Sequence, residues 1–201
     1  MSLIVNEFRS TFRPITNTFK KELESNIVYT HSDLVEKSKA GDRNSQYQLY
    51  ELYIDAMYNI SMRMLGIKED AEDVVQDSFV EAFKKLDSFR YESTFGSWLK
   101  RIVINKSINY SKLKRVPATS LEKHVYHIKD EPEEKPKTMD IQKINKGISL
   151  LPSGYRQIIS LYLLEGYDHV EIAEVLDIST STSKSQYHRA KKKLIEIVNT
   201  L

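Results

Sequence analysis

A tract of proline and alternating charge near the middle of the chain limits what its 201 residues can fold into. The tract contains Pro117, Pro132 and Pro136, and residues 130–137 read DEPEEKPK. Such a segment cannot bury enough apolar area to offset the chain entropy that is lost on folding. The sequence therefore predicts a flexible linker over residues 116–139, with a small domain on each side of it.

Residues 32–115, before the linker, are predicted to form a helical bundle. Apolar residues recur at every third or fourth position over residues 44–65 and again over residues 71–86. This is the period of an amphipathic helix. We predict that Ser32 caps a short helix ahead of these two, and that a further helix over residues 97–113 follows them.

Residues 140–201, after the linker, are predicted to form a helix-turn-helix domain. Asp168 is placed to cap a short helix, residues 177–179 form a tight turn, and residues 180–198 form a basic amphipathic helix with Ser179 as its cap. Two helices joined by a tight turn, of which the second is cationic, are typical of DNA-binding modules. Because no segment alternates with a period of two, we expect an all-α fold.

Composition narrows the class of protein further. The absence of cysteine excludes a disulfide framework, a thiolate nucleophile and cysteine-based metal sites. No stretch approaches the roughly 18 apolar residues of a membrane span. Residues 1–31 are predicted to be an N-terminal extension, and they carry charges where a signal peptide has an apolar core. We therefore expect a cytoplasmic protein without membrane insertion.

The charges of the chain are segregated although its net charge is only +2. Residues 96–115 and residues 180–195 carry lysine and arginine without any carboxylate, whereas residues 69–77 carry five carboxylates without a cation. Clusters of opposite sign predict different partners for different segments of one chain.

One face of the acidic helix is predicted to bind a protein. Asp73, Gln76 and Asp77 lie at positions i, i+3 and i+4, opposite the apolar stripe, and Val80 extends the same outward face. An apolar residue among hydrogen-bond acceptors indicates a protein partner that presents Arg or Lys with an apolar rim. The alternative is an ordinary solvated face.

Residues 89–112, FRYESTFGSWLKRIVINKSINYSK, combine aromatic rings, cations and side-chain amides. Single-stranded or locally melted nucleic acid requires this combination, because unstacked bases stack on rings while cations follow the backbone. The alternative is that Phe89, Phe95 and Trp98 belong to the core, and we expect at least two of them to do so. The remaining candidates are Tyr91, Tyr110, Lys100, Arg101, Lys106, Asn105 and Asn109.

The basic helix after the tight turn is predicted to enter the major groove, where its side chains reach base edges and phosphates. The alternative is a solvated basic face on an ordinary helical hairpin. Ala173, a small residue where the two helices meet, favours DNA binding, whereas Asp177 and Ser183 depart from the usual pattern of Gly and an apolar residue. The candidate DNA contacts are Lys184, Ser185, His188, Arg189 and Lys192.

Catalytic chemistry is not indicated. His124 and His127 stand three residues apart in the linker beside Glu122, but no further ligand lies near them, so a metal site is not expected. A glycine-rich nucleotide loop and a nucleophilic triad are also not evident. We expect a protein that is not an enzyme and that binds no cofactor.

Three segments in this order resemble bacterial RNA polymerase sigma factors of the extracytoplasmic-function (ECF) type, within the sigma-70 family. Residues 70–79, DAEDVVQDSF, resemble the core helix of the family's region 2, and residues 166–194 resemble its region 4. The promoter-melting segment of the family is matched by Phe89, Ser93, Phe95, Trp98, Leu99, Ile102 and Asn105. The resemblance covers residues 33–198.

The resemblance implies roles for these residues and names their partners. The clamp helices of the beta-prime subunit of core RNA polymerase would be bound by Asp73, Gln76, Asp77 and Val80. The minus-ten promoter element would be opened and held by Phe89, Tyr91, Ser93, Trp98, Arg101, Asn105 and Asn109. The minus-thirty-five element would be read by Lys184, Ser185, His188, Arg189 and Lys192. The beta flap of the polymerase and an anti-sigma factor are further partners that the family implies.

The sequence thus predicts a sigma factor that binds core RNA polymerase, recognises promoter DNA, melts it and starts transcription. Ser181, Ser183 and Gln186 stand where the family usually has Gly, Val and Arg. The alternative is a free-standing helix-turn-helix regulator that binds duplex DNA. The aromatic and basic segment discriminates between the two, because an ordinary repressor does not need a loop that stacks on bases.

Overall fold

The computed structural model describes residues 31–114 and 141–201, and every regular element in these two ranges is helical. The predicted all-α fold is therefore confirmed. The predicted linker, nearly all of the predicted N-terminal extension, and His124 and His127 lie outside the described residues. In chain order the helices are α1 Ser32–Lys39, α2 Arg43–Leu65, α3 Lys68–Lys84, a 3-10 turn Leu86–Ser88, α4 Phe95–Lys114, α5 Ile141–Leu150, α6 Ser153–Ile159, a π-helical segment Ser160–Leu164, α7 His169–Leu176 and α8 Thr180–Thr200.

The start of α1 differs from the prediction that Ser32 caps it. His31 occupies the cap position with a φ of 72°, and its carbonyl accepts the first helical hydrogen bond from the Val35 N–H at 3.0 Å. The His31 ring lies 3.2 Å from the hydroxyl of Tyr53 on α2. Because this tertiary contact holds His31 at the cap position, Ser32 enters the first turn of the helix.

Helices α1 to α4 form the N-terminal bundle, in which α2, α3 and α4 pack against one another around a shared core. The predicted apolar stripes supply that core: Val75 and Phe79 of α3 and Leu99 of α4 are at most 3% exposed. Ser61 of α2 and Ser107 of α4 are also fully buried, with their hydroxyls 3.3 Å apart. Small side chains at this point allow the two helices to approach closely.

Helices α5 to α8 form the C-terminal bundle, which contains the predicted helix-turn-helix. Asp168 caps α7 in a capping box with Glu171, and Ser179 caps α8 by accepting a hydrogen bond from the Thr182 N–H at 3.1 Å. Between the two helices Asp177 has a φ of 59°, a left-handed conformation that Asp adopts less readily than Gly. The turn therefore forms despite the departure from glycine.

A π-helical segment, Ser160–Leu164, continues α6. Its wider turn is visible in the Glu165 N–H, which donates to the carbonyl of Ser160, five residues earlier, at 3.0 Å. The segment sets the direction in which Glu165 leaves the helix.

The two bundles pack against each other. Helix α6 lies on α2, and Ile158, Leu161 and Ile172 of the C-terminal bundle belong to the same cluster of buried side chains as the core of the N-terminal bundle. A separate, smaller core beneath α8 contains Ile144, Ile148, Leu151, Ile159, Ala190 and Leu194.

Candidate nucleic-acid interface

The acidic helix α3 presents the predicted polar face to solvent. Asp73, Gln76 and Asp77 are exposed, and Val80 is 52% exposed although its neighbour Phe79 is buried at 3%. The face is held rigidly because the opposite side of the helix, which includes Val75, lies in the core. These four positions form what we call the α3 acceptor face.

Asp70 does not belong to this acidic surface, although it lies in the same acidic stretch of sequence. Its side chain is 10% exposed, and it accepts hydrogen bonds from the Tyr110 hydroxyl at 2.8 Å and from the Lys114 ammonium at 2.6 Å. Burial by itself raises the pKa of Asp70, but the hydrogen bonds from Lys114 and Tyr110 outweigh burial and hold the pKa below its ordinary value. Asp70 ties the start of α3 to the end of α4.

The segment between the 3-10 turn and α4, residues 89–94, is the predicted promoter-melting loop, and α1 anchors it. Tyr91 has a φ of 59°, and its hydroxyl donates to the Glu36 carboxylate at 2.5 Å. The Lys39 ammonium donates to the Phe89 carbonyl at 3.2 Å and lies 4.8 Å from the centre of the Tyr91 ring. Burial and the Glu36 carboxylate raise the pKa of Tyr91 to about 12. Two side chains of α1 thus fix a strained loop.

Phe89 is buried beneath this loop rather than offered to a base. It is 4% exposed, and its ring centre lies 4.7 Å from that of Tyr91 and 5.3 Å from that of Trp98. Phe95 is equally buried at 3%. Two of the three rings that the sequence left open between core and base stacking are therefore core residues, and Phe89 supports the loop from below. Tyr91 and Trp98 keep partly exposed rings.

A groove of about 500 Å³ runs between α3 and α4 beside the loop. Trp98, Asn105 and Asn109 line it from α4, and Asp77 lines it from α3. Successive turns of α4 carry these residues, so the predicted amides and the indole face one groove. Arg101 and Asn105 are exposed on the same helix, whereas Ser93 is partly buried in the loop, where its hydroxyl donates to the Thr94 carbonyl at 3.3 Å.

Several lysines of the predicted cationic segment on α4 already have carboxylate partners. Lys106 lies 2.9 Å from Glu81, Lys114 lies 2.6 Å from Asp70, and Lys100 lies 3.4 Å from Glu165. The hydrogen bonds from Lys85 and Lys106 lower the pKa of Glu81. These lysines connect helices, so Arg101 is the cation of α4 that fits a nucleic-acid contact best.

Helix α8 carries the predicted recognition residues on its outer surface. Lys184, Ser185, His188 and Arg189 are exposed, and Lys192 is partly exposed one turn later. Opposite them, Ala190 and Leu194 are buried in the core of the C-terminal bundle. The helix therefore presents one polar, cationic face, as the sequence predicts.

Ser183 replaces an apolar residue in the helix-turn-helix without leaving a gap in hydrogen bonding. It is fully buried, and its hydroxyl lies 3.0 Å from Nδ1 of His169 on α7. The His169 ring stacks on Tyr162, with ring centres 4.7 Å apart, and Tyr162 in turn contacts Tyr187 at 4.3 Å. A polar and aromatic contact thus joins α7 to α8 where an aliphatic contact was expected.

Comparison with known proteins identifies the family of this chain. The family models described as "Sigma-70 region 2" and "Sigma-70, region 4" match residues 49–115 and 141–194. The chain is 30% identical over 172 residues to the ECF RNA polymerase sigma factor SigW of Bacillus subtilis, which aligns over 80% of this chain and 92% of that protein. The chain belongs to the ECF RNA polymerase sigma factors.

A further relative agrees with this assignment, and one solved structure has a similar fold. The ECF RNA polymerase sigma-E factor of Haemophilus influenzae is 31% identical over 175 residues, which cover 81% of this sigma factor and 92% of that protein. The fold is similar to that of the sigma factor RpoE of Bartonella quintana, solved in complex with the anti-sigma factor NepR, with a TM-score of 0.50 at 24% identity over 76% of this chain and 96% of that one.

The sigma factor therefore directs promoter recognition by RNA polymerase and transcription initiation. The alternative of a free-standing regulator is not favoured, because the relatives match over nearly their whole length and both sigma regions are present. Within residues 31–114 and 141–201, no helix has the length and apolar character needed to cross a membrane.

Some long-range contacts around these surfaces are not predicted from the sequence. Glu36 and Lys39 lie on α1, about fifty residues before the loop that they anchor. Arg63 and Glu165 are 102 residues apart and form an ion pair between the bundles. Their charges give no periodic signal, because long-range partners are set by the packing of helices rather than by spacing along the chain.

Proposed function

We propose that the α3 acceptor face docks on the clamp helices of the beta-prime subunit of core RNA polymerase. Asp73, Gln76 and Asp77 offer acceptors to basic residues, and Val80 offers an apolar contact beside them. Protein interfaces of this kind pair an apolar centre with complementary charge. The exposure of all four residues on one side of a helix that is packed on its other side carries this proposal.

The loop over residues 89–94 and the groove between α3 and α4 open the minus-ten element and hold an unstacked base. Tyr91 and Trp98 offer partly exposed rings, Arg101 offers a cation, and Asn105 and Asn109 offer hydrogen bonds to base edges. Stacking on aromatic rings contributes about 1–3 kcal/mol per base, and only after the base has left the duplex. Ser93 shapes the loop, and Phe89 supports it from the core.

The exposed face of α8 reads the minus-thirty-five element in the major groove. Lys184, Ser185, His188 and Arg189 lie at the start of the helix and one turn beyond it, so they face the groove together. Lys192 follows at the edge of this face, closer to the phosphate backbone. The three surfaces belong to two domains, residues 32–115 and 140–201, joined by the linker over residues 116–139.

The proposed function also implies the binding partners and the cellular location of the protein. Core RNA polymerase and promoter DNA are its partners, the C-terminal domain contacts the beta flap, and the protein acts in the cytoplasm without catalysing a reaction itself. Its structural relative RpoE was solved in complex with an anti-sigma factor. By analogy, an anti-sigma factor is a further partner of this protein.

Transcription with core polymerase tests the melting step directly. Replacing Tyr91, Arg101 and Asn105 together by Ala is expected to leave closed complexes largely intact and to reduce open complexes. A template with a pre-melted bubble should partly restore run-off transcription, since melting is then no longer required. A control variant with Ala at Lys84, Asp87 and Lys112, which are exposed elsewhere on the same bundle, should transcribe normally. Equal loss on both templates would contradict the proposed role.

A further inference from the structure

Glu165 is a carboxylate buried between the two bundles. Its side chain is 6% exposed; it accepts a hydrogen bond from the Arg63 guanidinium of α2 at 2.7 Å, and the Lys100 ammonium of α4 lies 3.4 Å away. A buried carboxylate is costly unless cations pair with it. Here both cations come from the other bundle, so Glu165 is compensated only while the bundles are in contact.

A second polar contact crosses the same interface. The Arg156 guanidinium of α6 donates to the Leu65 carbonyl, at the end of α2, at 2.6 Å, and also to the Ser149 carbonyl of its own bundle at 2.9 Å. Gly66 makes this possible, because a Cβ atom at that position would collide with the Arg156 guanidinium. The glycine that ends α2 thus also leaves space for a side chain of the other bundle.

The packing of the two bundles places an acidic edge of the C-terminal bundle in front of the proposed melting surface. A cleft of about 400 Å³ separates them: Trp98, Arg101 and Asn105 line one wall, and Tyr167, Glu171 and Glu174 line the other. Burial raises the pKa of the Tyr167 hydroxyl, and the neighbouring Arg101 guanidinium opposes that change. Arg101 therefore faces a phenol and two carboxylates in the place where a DNA phosphate would lie.

We propose that this edge of the C-terminal bundle is an intramolecular docking surface that closes the melting face of the free sigma factor. Glu165 holds the bundles together through its ion pairs with Arg63 and Lys100. The carboxylates of α7 lie opposite Arg101. Promoter DNA and the docked α7 exclude each other, because both require the space in front of Arg101 and Asn105. The proposal rests on the melting role assigned above, whereas the docking itself does not.

Distance measurement between two dyes tests the docking without DNA or polymerase. The chain has no cysteine, so Asp55→Cys on α2 and Asn199→Cys on α8, both exposed, provide the only two labelling sites. The wild-type pair should show one high-transfer population. Glu165→Arg and Arg63→Glu should each shift it to low transfer. The two changes together should restore part of the high-transfer population, because the charges of this pair are exchanged while Lys100 still lies next to position 165. Glu196→Arg, which alters an ion pair within α8, is the matched control and should not change transfer.

Binding of a fluorescent single strand that carries the minus-ten sequence tests the masking. The apparent affinity of a site scales with the fraction of molecules in the competent state. Arg63→Glu, a change outside the melting surface, is expected to raise the apparent affinity about tenfold, and the double exchange is expected to lower it again toward the wild-type value. The circular dichroism spectra of all variants should coincide, which shows that neither bundle has unfolded.

The outcomes separate the two proposals. If single reversals leave dye transfer unchanged, or if the double exchange does not raise transfer above that of the single reversals, the docking proposal is overturned. If transfer falls but the affinity for the single strand stays constant, the masking is overturned. If the docking behaves as expected while neither the closed nor the opened protein binds the strand or supports run-off transcription, the melting role assigned to this surface is wrong instead.

Discussion

Asp70 illustrates, at the scale of one residue, how packing changes what a charge does. It lies three residues before Asp73 in one acidic stretch, yet the two carboxylates have different surroundings: Asp73 is exposed, whereas Asp70 accepts hydrogen bonds from Tyr110 and Lys114. The helical period does not separate them, because positions i and i+3 lie on one face. The difference comes from the end of α4, where Tyr110 and Lys114 reach Asp70 at the start of α3.

Asp70→Asn should lower the free energy of unfolding at pH 7 by about 1–2 kcal/mol, a value reduced by the partial exposure of Lys114. The pKa of Asp70 is lower in the folded protein than in the unfolded chain. The stabilisation that this carboxylate contributes is therefore complete above its unfolded pKa, near 3.8, and is lost as the pH falls through its folded pKa. Urea unfolding should therefore show a difference between variant and wild type that shrinks as the pH falls below the unfolded pKa of Asp70, near 3.8. Asp73→Asn, the control, should change the unfolding free energy by less than about 0.5 kcal/mol throughout.

A second residue-scale contrast distinguishes two cations of α8. Arg189→Ala should relax preference at one or two minus-thirty-five positions, at about 1–3 kcal/mol for a lost bidentate contact to a base. Lys192→Ala should instead weaken all promoters alike and reduce the salt dependence by about one contact. Binding of holoenzyme to a library of minus-thirty-five variants at two salt concentrations measures both. Uniform weakening by Arg189→Ala would make it a phosphate contact.

At the scale of elements, α3 packs in the core with one side and is proposed to bind core polymerase with the other. Asp73→Arg with Asp77→Arg should abolish association with core polymerase while the helix content stays constant, because neither side chain enters the core. Repulsion adds to the loss of pairing and costs several kcal/mol. A competition assay against wild type for core polymerase measures this. Asp55→Arg with Asp87→Arg, which are exposed elsewhere on the bundle, should compete normally; if the α3 variant does so as well, this face is not the docking face.

The elements themselves were largely predictable, and the contacts between them were not. Apolar period and capping residues located α2, α3, α7 and α8, because both signals act within a few residues of the chain. The start of α1 was missed because the His31–Tyr53 contact decides it. Phe89 remained ambiguous because a ring in a loop carries no period, and only packing against Trp98 and Phe95 places it in the core.

For the whole molecule, two DNA-binding surfaces on separate bundles predict weak binding by the chain alone. Each surface offers few phosphate contacts, and a linker gains avidity only when its length matches the span between sites. We expect the isolated protein to bind promoter duplex about 100-fold more weakly than holoenzyme does at physiological salt. Titration of labelled promoter DNA with protein and with holoenzyme measures the ratio. Tight specific binding by the protein alone would contradict this expectation.

The π-helical segment before Glu165 makes the closed form sensitive to an added residue. Its wide turn already holds one residue more than an α-helical turn, so insertion of one Ala after Leu164 should rotate Glu165 by about 100°, whereas deletion of Leu164 should return the turn to regular helix and leave the direction of Glu165 nearly unchanged. The insertion would keep the helix content of the bundle but aim the carboxylate away from Arg63. Dye transfer should then fall as in Arg63→Glu, and it should stay high in the deletion variant. The state of the whole molecule would thus be set by a count of residues in one turn, so that a single codon gained there would separate an open sigma factor from a closed one.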